Sequence, residues 1–250
     1  MKIKALTMWY NEEFLAPYFL KHYSYLDEIH IIMDADTSDN SIDVAYAHPN
    51  VTVEQFRFPD GMDDIIKCQK LNQVMQGMLP TCDWLYVLDA DEFIWPHGCE
   101  NPRDFLARQT GANVVIARMW QVYRNAVDSD LSLMIEPVPF NRRYGDPNRE
   151  TGSNSMYNKP IIIKGGTECT LDLGNHRLFG QGLTVGQEYY DGVHWANADP
   201  EFAIERRVKN RRDRQSKVNL QYQLTVQHHN ITEESVRAEL DSHLHDPKLF

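Results

Sequence analysis

Short apolar runs alternate with segments of helical periodicity through the N-terminal part of the chain. The apolar runs predict strands over residues 3–9, 28–34 and 84–88, and the alternating pattern of residues 51–56 predicts another. The segments between them predict helices over residues 11–26, 38–48 and 62–79. This order of elements predicts a parallel sheet with helices on both faces, in which ligands bind at the carboxyl ends of the strands.

The rest of the chain is less regular. Residues 112–123 and 160–164 read as two further strands. Between them, residues 142–158 are rich in Gly, Asn, Arg and Ser, which predicts a long loop. A charged helix is predicted over residues 201–219 and an amphipathic one over residues 232–244.

Composition narrows the class of protein. The chain has 250 residues, of which 42% are hydrophobic, so it is long enough to bury a sizeable core. Its net charge of −11 argues against nucleic-acid binding, because an anionic surface repels a phosphate backbone. Four scattered cysteines without a CxxC pair argue against a zinc ribbon. We see neither a signal peptide nor a membrane-spanning run, and we therefore expect a cytoplasmic protein.

Paired carboxylates follow the fourth predicted strand, in the sequence WLYVLDADEF. Side chains alternate along a strand, so Asp89 and Asp91 point the same way if the strand persists. Two carboxylates at this edge form part of a shell for a hard cation such as Mn²⁺ or Mg²⁺, which diphosphate oxygens and water would complete. The alternative is that these residues cap a following helix.

Three more aspartates, Asp34, Asp36 and Asp39, follow the second predicted strand. A carboxylate at position 34 is placed to accept a hydrogen bond from a base or a ribose. The alternative is a solvated acidic turn that caps the next helix.

These motifs resemble those of glycosyltransferase family two and its relatives, above all the branch labelled glycosyl transferase family two-like. The resemblance rests on Asn11-Glu12-Glu13, on Asp34 with residues 37–41, and on residues 88–93. Residues 159–164, Asn175-His176, His194-Trp195, Phe202 and Lys209 extend it into the C-terminal half. It covers about residues 2–210 and is strongest before residue 95.

The resemblance implies a GT-A fold, an α/β Rossmann-like three-layer sandwich with a mixed, mainly parallel sheet. We place this nucleotide-sugar-binding and catalytic domain at residues 1–200, with a helical C-terminal extension at residues 201–250. It also implies transfer of a sugar from a nucleoside-diphosphate sugar, most simply a UDP- or GDP-sugar, to a hydroxyl of a saccharide or lipid-linked acceptor.

The resemblance also assigns roles to residues. In such enzymes the end of the first strand and the Asp34 position contact the nucleotide, and the aspartates of the Asp-X-Asp motif bind the metal. The residues assigned to the nucleotide and diphosphate on this basis are Asn11, Glu12, Asp34, Asp36, Asp89, Ala90 and Asp91. At position 36, relatives often have a small residue or glycine.

A second group of candidates comes from polar segments near the motif. The resemblance places the helix that carries Lys67, Gln69, Lys70 and Asn72 close to the donor. Lys159, Lys164 and Arg142-Arg143 are candidates to neutralise the departing diphosphate, with a solvated basic loop as the alternative.

Histidines complete the predicted metal site. Two carboxylates leave a cation short of ligands, and imidazole suits Mn²⁺. The resemblance implies that a histidine of the C-terminal half approaches the metal or the diphosphate, and His176 and His194 are the candidates. The alternative is a turn histidine at 176 and a packed one at 194.

The catalytic base is not fixed by the sequence, because the downstream Glu-Asp pair of classical relatives is not visible. A base near the acceptor hydroxyl would take its proton during an inverting transfer. Asp172 and Glu188 are the leading candidates, with Glu168 and Glu136 behind them. Surface carboxylates are the alternative for each.

Two further features of the sequence each have two interpretations. The basic run over residues 205–214 could bind anionic lipid headgroups, which would imply peripheral membrane contact. The alternative, which we favour, is an exposed helix with internal salt bridges. Five aromatic residues are candidates to stack on an acceptor sugar or to pack in the core: Trp120, Tyr123, Tyr189, Tyr190 and Trp195.

Two functions other than sugar transfer are compatible with the sequence. One is a non-catalytic carbohydrate- or partner-binding domain of the same fold. The other is a nucleotidyltransferase, although the turn after the first strand, residues 9–13, carries no glycine of a phosphate loop.

Overall fold

A mixed β-sheet lies at the centre of the fold in the computed structural model, which describes residues 1–128, 142–148, 156–197, 199–224 and 228–250. The first strands are β1 (Ile3–Trp9), β2 (Glu28–Asp34), β3 (Val51–Phe56), β4 (Trp84–Leu88), β5 (Glu92–Pro96) and β6 (Val114–Tyr123). They are followed by β7 (Tyr144–Gly145), β8 (Asn158–Lys164), β9 (Thr170–Leu171), β10 (Leu178–Phe179) and β11 (Tyr190–Asn197).

The sheet has the strand order β3-β2-β1-β4-β8-β6-β11-β5, with β7 paired to β6. The first four of these strands run parallel, so that their carboxyl ends meet at one edge. β8 enters antiparallel between β4 and β6. This arrangement confirms the predicted α/β, Rossmann-like fold class with a mixed sheet.

Helices cover both faces of the sheet, as predicted. They are α1 (Ala16–His22), α2 (Ser41–Tyr46), α3 (Asp64–Met78) and α4 (Pro102–Ala107). After residue 199 come α5 (Pro200–Ile204), α6 (Lys217–Gln221) and α7 (Glu233–Ser242). On one face Phe19 and Leu20 of α1 pack in the larger core, and on the other Leu71 and Met75 of α3 pack against strand residues.

The start of α1 differs from its prediction. Asn11 has a φ of 50°, in the left-handed region, so the chain cannot enter a helix there. The carbonyl of Glu12 then accepts hydrogen bonds from Leu15 and Ala16, and the helix begins at Ala16 with proline in its first turn.

The predicted helix over residues 201–219 is wrong as a single element. After α5, residues Glu205–Arg211 form a π-helix and Arg212–Arg214 a 3₁₀ turn. Ser216 is then extended, and its side chain caps α6 by accepting from the backbone of Asn219. A hydroxyl that satisfies a helix N-terminus sets a boundary that charge periodicity does not reveal.

The sequence prediction missed β5 and β11, which pair antiparallel with each other. Nearly every residue of β11 is buried, including the polar Asp191 and His194. Strands buried on both faces lack the alternation that marks a half-exposed strand. No helix among the described residues has the length and apolar character needed to cross a membrane.

Candidate functional site

A cavity of about 520 Å³ opens at the carboxyl ends of β1, β2 and β4. Its floor is formed by Glu12, Asp34, Asp89 and Asp91, each of which follows or ends one of these strands. The walls come from the first turn of α3, the start of β8 and the 205–214 segment. Three sequence-predicted segments therefore meet at one site, because parallel strands present their carboxyl ends at the same edge.

The carboxylate of Asp89 forms ion pairs with two lysines. Lys67 Nζ lies 3.1 Å from Asp89 Oδ1, and Lys159 Nζ lies 3.3 Å from Oδ2. Burial raises the pKa of Asp89, but the two ammonium groups outweigh burial and hold the pKa well below its usual range. The carboxylate is therefore charged and has both oxygens engaged.

Asp91 has one engaged oxygen and one free oxygen. His194 Nε2 and Arg206 Nη2 each lie 3.1 Å from Asp91 Oδ2. Oδ1 is buried and has no hydrogen-bond partner among the described residues. Although burial raises the pKa of this carboxyl, Arg206 and His194 hold it below its usual range. A buried, charged carboxylate with a free oxygen suits a cation.

Glu12 shares Arg206 with Asp91. Arg206 Nη1 donates to Glu12 Oε1, while Glu12 Oε2 is buried without a partner within the described part of the chain. Burial raises the pKa of Glu12 to about 7 against the opposing effect of Arg206. The guanidinium of Arg206 thus bridges the ends of β1 and β4.

Glu92 is a site residue that the sequence analysis did not select. It is fully buried, accepts from Lys159 Nζ at 2.5 Å through Oε1, and accepts from the backbone of Asp89 at 3.0 Å through Oε2. Burial raises the pKa of Glu92, and Lys159 opposes the shift. Its position in the Asp-Ala-Asp-Glu sequence could have indicated this role, since a carboxylate three residues after Asp89 can accept from the Asp89 backbone N–H and cap the turn.

A separate corner of the cavity surrounds Asp34. Arg214 Nη2 donates to Asp34 Oδ2 at 2.5 Å, and the Arg214 guanidinium carbon lies 3.3 Å from the centre of the Tyr10 ring. Phe58 and Met62 line the same cavity. The corner joins a flat guanidinium–aromatic stack to a buried carboxylate.

The basic run over residues 205–214 lies in the cavity wall, and four of its six cations line the cavity, so the favoured interpretation as an exposed, internally paired helix is wrong for those four. Arg206 and Arg214 bind cavity carboxylates, and Arg211 Nη2 lies 2.8 Å from Asp64 Oδ1. Only part of the run, such as Lys209 with Glu205, is exposed and internally paired. With four of its five arginines in the cavity lining, the run offers less charge to anionic lipid.

The wall is fixed to the start of α3 by main-chain and side-chain bonds. The carbonyl of Arg214 accepts from the backbone of Met62 at 2.7 Å, and Ser216 Oγ donates to Asp63 Oδ2 at 2.9 Å. A Cβ on Gly61 would lie 2.6 Å from the Arg214 carbonyl, and Gly61 has a φ of 77°. Glycine is therefore required for this approach.

The two predicted histidines differ in their contacts. His194 is buried, pairs with Asp91, hydrogen bonds Gln121 Oε1 through Nδ1 at 2.6 Å and stacks on Tyr157. His176 lines the cavity, but its Nδ1 contacts the carbonyl of Met156 at 2.6 Å. Burial lowers the pKa of His176.

Several predicted site residues lie outside the cavity lining. Asn11 bonds Ser38, Asp36 pairs with Arg57, Lys70 pairs with Glu54, and Asn72 holds the backbone of Leu171. Ala90 is buried, Asp172 accepts from the backbone of Arg177, and Glu188 faces Arg108 and Gln109. Tyr190 and Trp195 are fully buried core residues. Glu136 falls outside the described residues.

The donor set fits a divalent cation at Asp91 rather than at the Asp89–Asp91 pair. Asp91 Oδ1 and Glu12 Oε2 are buried acceptors to which no described residue donates, and His194 adjoins Asp91. Both oxygens of Asp89 are taken by lysines. The described residues contain no ready-made cluster of three or more His, Cys, Asp or Glu ligands, so diphosphate and water would have to complete the shell.

No family model matches the chain, and no curated protein matches it in sequence. Among solved structures, residues 1–349 of S. aureus TarS in complex with UDP-GlcNAc match 98% of this chain and 72% of their own, at 14% identity and a TM-score of 0.46. A Bacillus anthracis protein assigned as a glucose-1-phosphate thymidylyltransferase, in complex with a sucrose, matches 66% and 71%, at 12% identity and a TM-score of 0.34. Both likenesses are remote, and the family remains a prediction from the motifs.

Proposed function

We propose that the chain is a glycosyltransferase that moves a sugar from a nucleoside-diphosphate sugar to a hydroxyl acceptor. The observation that carries the proposal is the cavity where β1, β2 and β4 end. It gathers six of the 25 lysines and arginines of a chain whose net charge is −11: Lys67, Lys159, Arg206, Arg207, Arg211 and Arg214. The same lining carries five carboxylates, those of Glu12, Asp34, Asp64, Asp89 and Asp91, which leaves the cavity with an excess of one positive charge in a chain that is strongly negative as a whole. This local excess of cations favours an anionic ligand.

The Asp34 corner is suited to a nucleoside. The Tyr10–Arg214 stack offers flat, polarisable surfaces against which a base can pack. Asp34 supplies a carboxylate that accepts hydrogen bonds from a ribose hydroxyl or a base N–H. This corner supports the assignment of Asp34 to the nucleotide and a UDP- or GDP-sugar as the donor.

The basic side chains between this corner and Asp91 are suited to the leaving group. Charge develops on the diphosphate as the glycosidic bond breaks, and fixed cations lower the energy of that state. Lys67, Lys159 and Arg206 are held there by carboxylates. Asp91 and His194 would hold Mn²⁺ or Mg²⁺, which would add positive charge beside the diphosphate when bound.

The acceptor side of the proposal rests on the sequence resemblance. Tyr157 and His176 line the cavity beside the metal candidates, where Tyr157 stacks on His194. A saccharide or lipid-linked acceptor remains a proposal from the sequence resemblance. Neither Asp172 nor Glu188 enters the proposed mechanism as a base, because both lie outside the cavity lining.

A thermal-shift panel tests the proposal. UDP-, GDP-, CMP- and dTDP-sugars are added with and without Mn²⁺, since a ligand that binds only the native state raises the melting temperature. We expect a shift with at least one diphosphate donor, and a loss of the Mn²⁺ increment in Asp91→Asn but not in the surface variant Lys209→Met.

Turnover assays separate the rival functions. A glycosyltransferase releases nucleoside diphosphate from the donor that gives the shift. Binding without release indicates a non-catalytic domain, and release of pyrophosphate from a nucleoside triphosphate with a sugar phosphate indicates a nucleotidyltransferase. Absence of any nucleotide-dependent shift contradicts the proposed function.

A further inference from the structure

The two aspartates of the motif have different surroundings. Asp89 contacts two ammonium groups through both of its oxygens. Asp91 contacts an imidazole and a guanidinium through one oxygen, and within the described part of the chain its other oxygen has no partner. A cation placed on Asp89 would lie beside two ammonium groups that repel it, whereas Asp91 Oδ1 has no hydrogen-bond partner among the described residues. The two aspartates of the Asp-Ala-Asp motif therefore differ in function: Asp89 binds lysines, whereas Asp91 has an oxygen to which no described residue donates.

The ammonium group of Lys67 uses only part of its hydrogen-bonding capacity within the described residues. An ammonium group has three N–H donors, and Lys67 Nζ donates to Asp89 Oδ1 and to no other described residue. The side chain lies in the first turn of the 15-residue helix α3 and lines the cavity. Lys159 is held more tightly, with Nζ donating to both Asp89 and Glu92. Both ammonium groups thus keep fixed positions at the cavity surface.

We propose that Lys67 and Lys159, aimed into the cavity by Asp89, bind the diphosphate of the donor without a metal, and that Asp89 is a positioning residue rather than a metal ligand. The inference rests on the proposed function and refines it. Asp89 and Glu92 offset the cost of burying the lysines and set their direction. The remaining N–H donors of Lys67 meet the phosphoryl oxygens. Asp91 and His194 would hold a cation, when one is bound, beside the same diphosphate, and the lysine contacts do not depend on it.

Nucleotide binding by the whole chain in EDTA tests the lysine site. UDP and GDP titrations are followed calorimetrically for the unmodified chain, Lys67→Met, Lys67→Arg and Lys70→Met. The last is a matched control, since Lys70 lies on the same helix but pairs with Glu54 outside the cavity lining. We expect Lys67→Met to weaken binding about tenfold, the size of a charge-assisted hydrogen bond. Lys67→Arg should retain most of the affinity, and Lys70→Met all of it.

Binding of Mn²⁺ alone, followed by electron paramagnetic resonance, tests the role of Asp89. We expect Asp91→Asn to lower the Mn²⁺ affinity at least about tenfold, as the loss of a ligand does. Asp89→Asn should change it much less, and Lys67→Met should raise it because a nearby positive charge is removed. Circular dichroism confirms that each variant is folded.

The outcomes separate this inference from the proposed function. If UDP and GDP bind only with Mn²⁺, or if Lys67→Met leaves binding in EDTA unchanged, the lysine site is refuted while the glycosyltransferase proposal stands. If Asp89→Asn loses Mn²⁺ as completely as Asp91→Asn does, Asp89 is a metal ligand. If no nucleotide binds under either condition, the proposed function fails.

Discussion

Arg214 Nη2 donates to Asp34 Oδ2 at 2.5 Å, across 180 positions of sequence. Asp34 ends β2 and is almost fully buried, while Arg214 closes the cavity wall after the π-helix. The same guanidinium stacks on Tyr10 at the end of β1. This contact therefore joins the 205–214 wall to the ends of β1 and β2 at the Asp34 corner.

We predict that Arg214→Ala lowers the free energy of unfolding by about 3 kcal/mol, because it leaves the Asp34 carboxylate buried without its partner. Urea denaturation measures the change. Arg57→Ala, which removes the partner of the exposed Asp36, serves as a control and should cost no more than about 0.5 kcal/mol. Equal effects of the two variants would contradict the buried pairing.

A second prediction concerns the pH dependence of stability. The pKa of Glu12 is raised by burial to about 7 in the folded chain, against 4.5 as its ordinary value. Its protonated form is thus favoured by folding, so this stabilisation is complete below about pH 4.5 and is lost as the pH rises to 7. Glu12→Gln should remove that loss, which amounts to about 3 kcal/mol.

Urea titrations of the unmodified chain and Glu12→Gln at intervals between pH 4.5 and 8, in metal-free buffer, measure this difference. The variant should gain stability relative to the unmodified chain as the pH rises. A difference that does not vary with pH would show that Glu12 does not titrate in this range.

A third prediction distinguishes the two histidines. Gln121 Oε1 contacts His194 Nδ1 at 2.6 Å and so orients the ring toward Asp91. Partners of this kind typically contribute about 10- to 100-fold to metal affinity, so Gln121→Leu should weaken Mn²⁺ binding by at least about tenfold. His176→Ala is the control and should leave the Mn²⁺ affinity nearly unchanged. If His176→Ala weakened Mn²⁺ binding more than Gln121→Leu did, His176 rather than His194 would be the metal ligand.

A fourth prediction concerns packing in the central sheet. A Cβ on Gly192 would lie 2.6 Å from Met119 Cγ and 2.9 Å from the carbonyl of Phe93. Because β11 is buried between β6 and β5, Gly192→Ala should destabilise the chain by about 1–3 kcal/mol. Gly77→Ala in α3 meets no atom within 4 Å and should stabilise it by about 0.5–1 kcal/mol. Thermal and urea denaturation compare the two variants.

The N-terminal half of the fold could be predicted because its signals are local. β1, β2, β3 and β4 have the predicted bounds, since β1, β2 and β4 are largely apolar runs and β3 alternates apolar and polar residues. The same parallel order places Asp34, Asp89 and Asp91 at one edge of the sheet. β11 was missed because its residues are buried on both faces, and buried polar side chains such as His194 break the apolar pattern.

The sequence by itself determined the fold class and the acidic half of the cavity, because hydrophobic periodicity and strand ends are properties of neighbouring residues. Only the tertiary structure decided which cations face these acids. The π-helix turns Arg206 toward Asp91 and Glu12, and β8 brings Lys159 to Asp89 and Glu92. Ion pairs between residues up to 194 positions apart depend on how elements pack, and no local pattern encodes that packing.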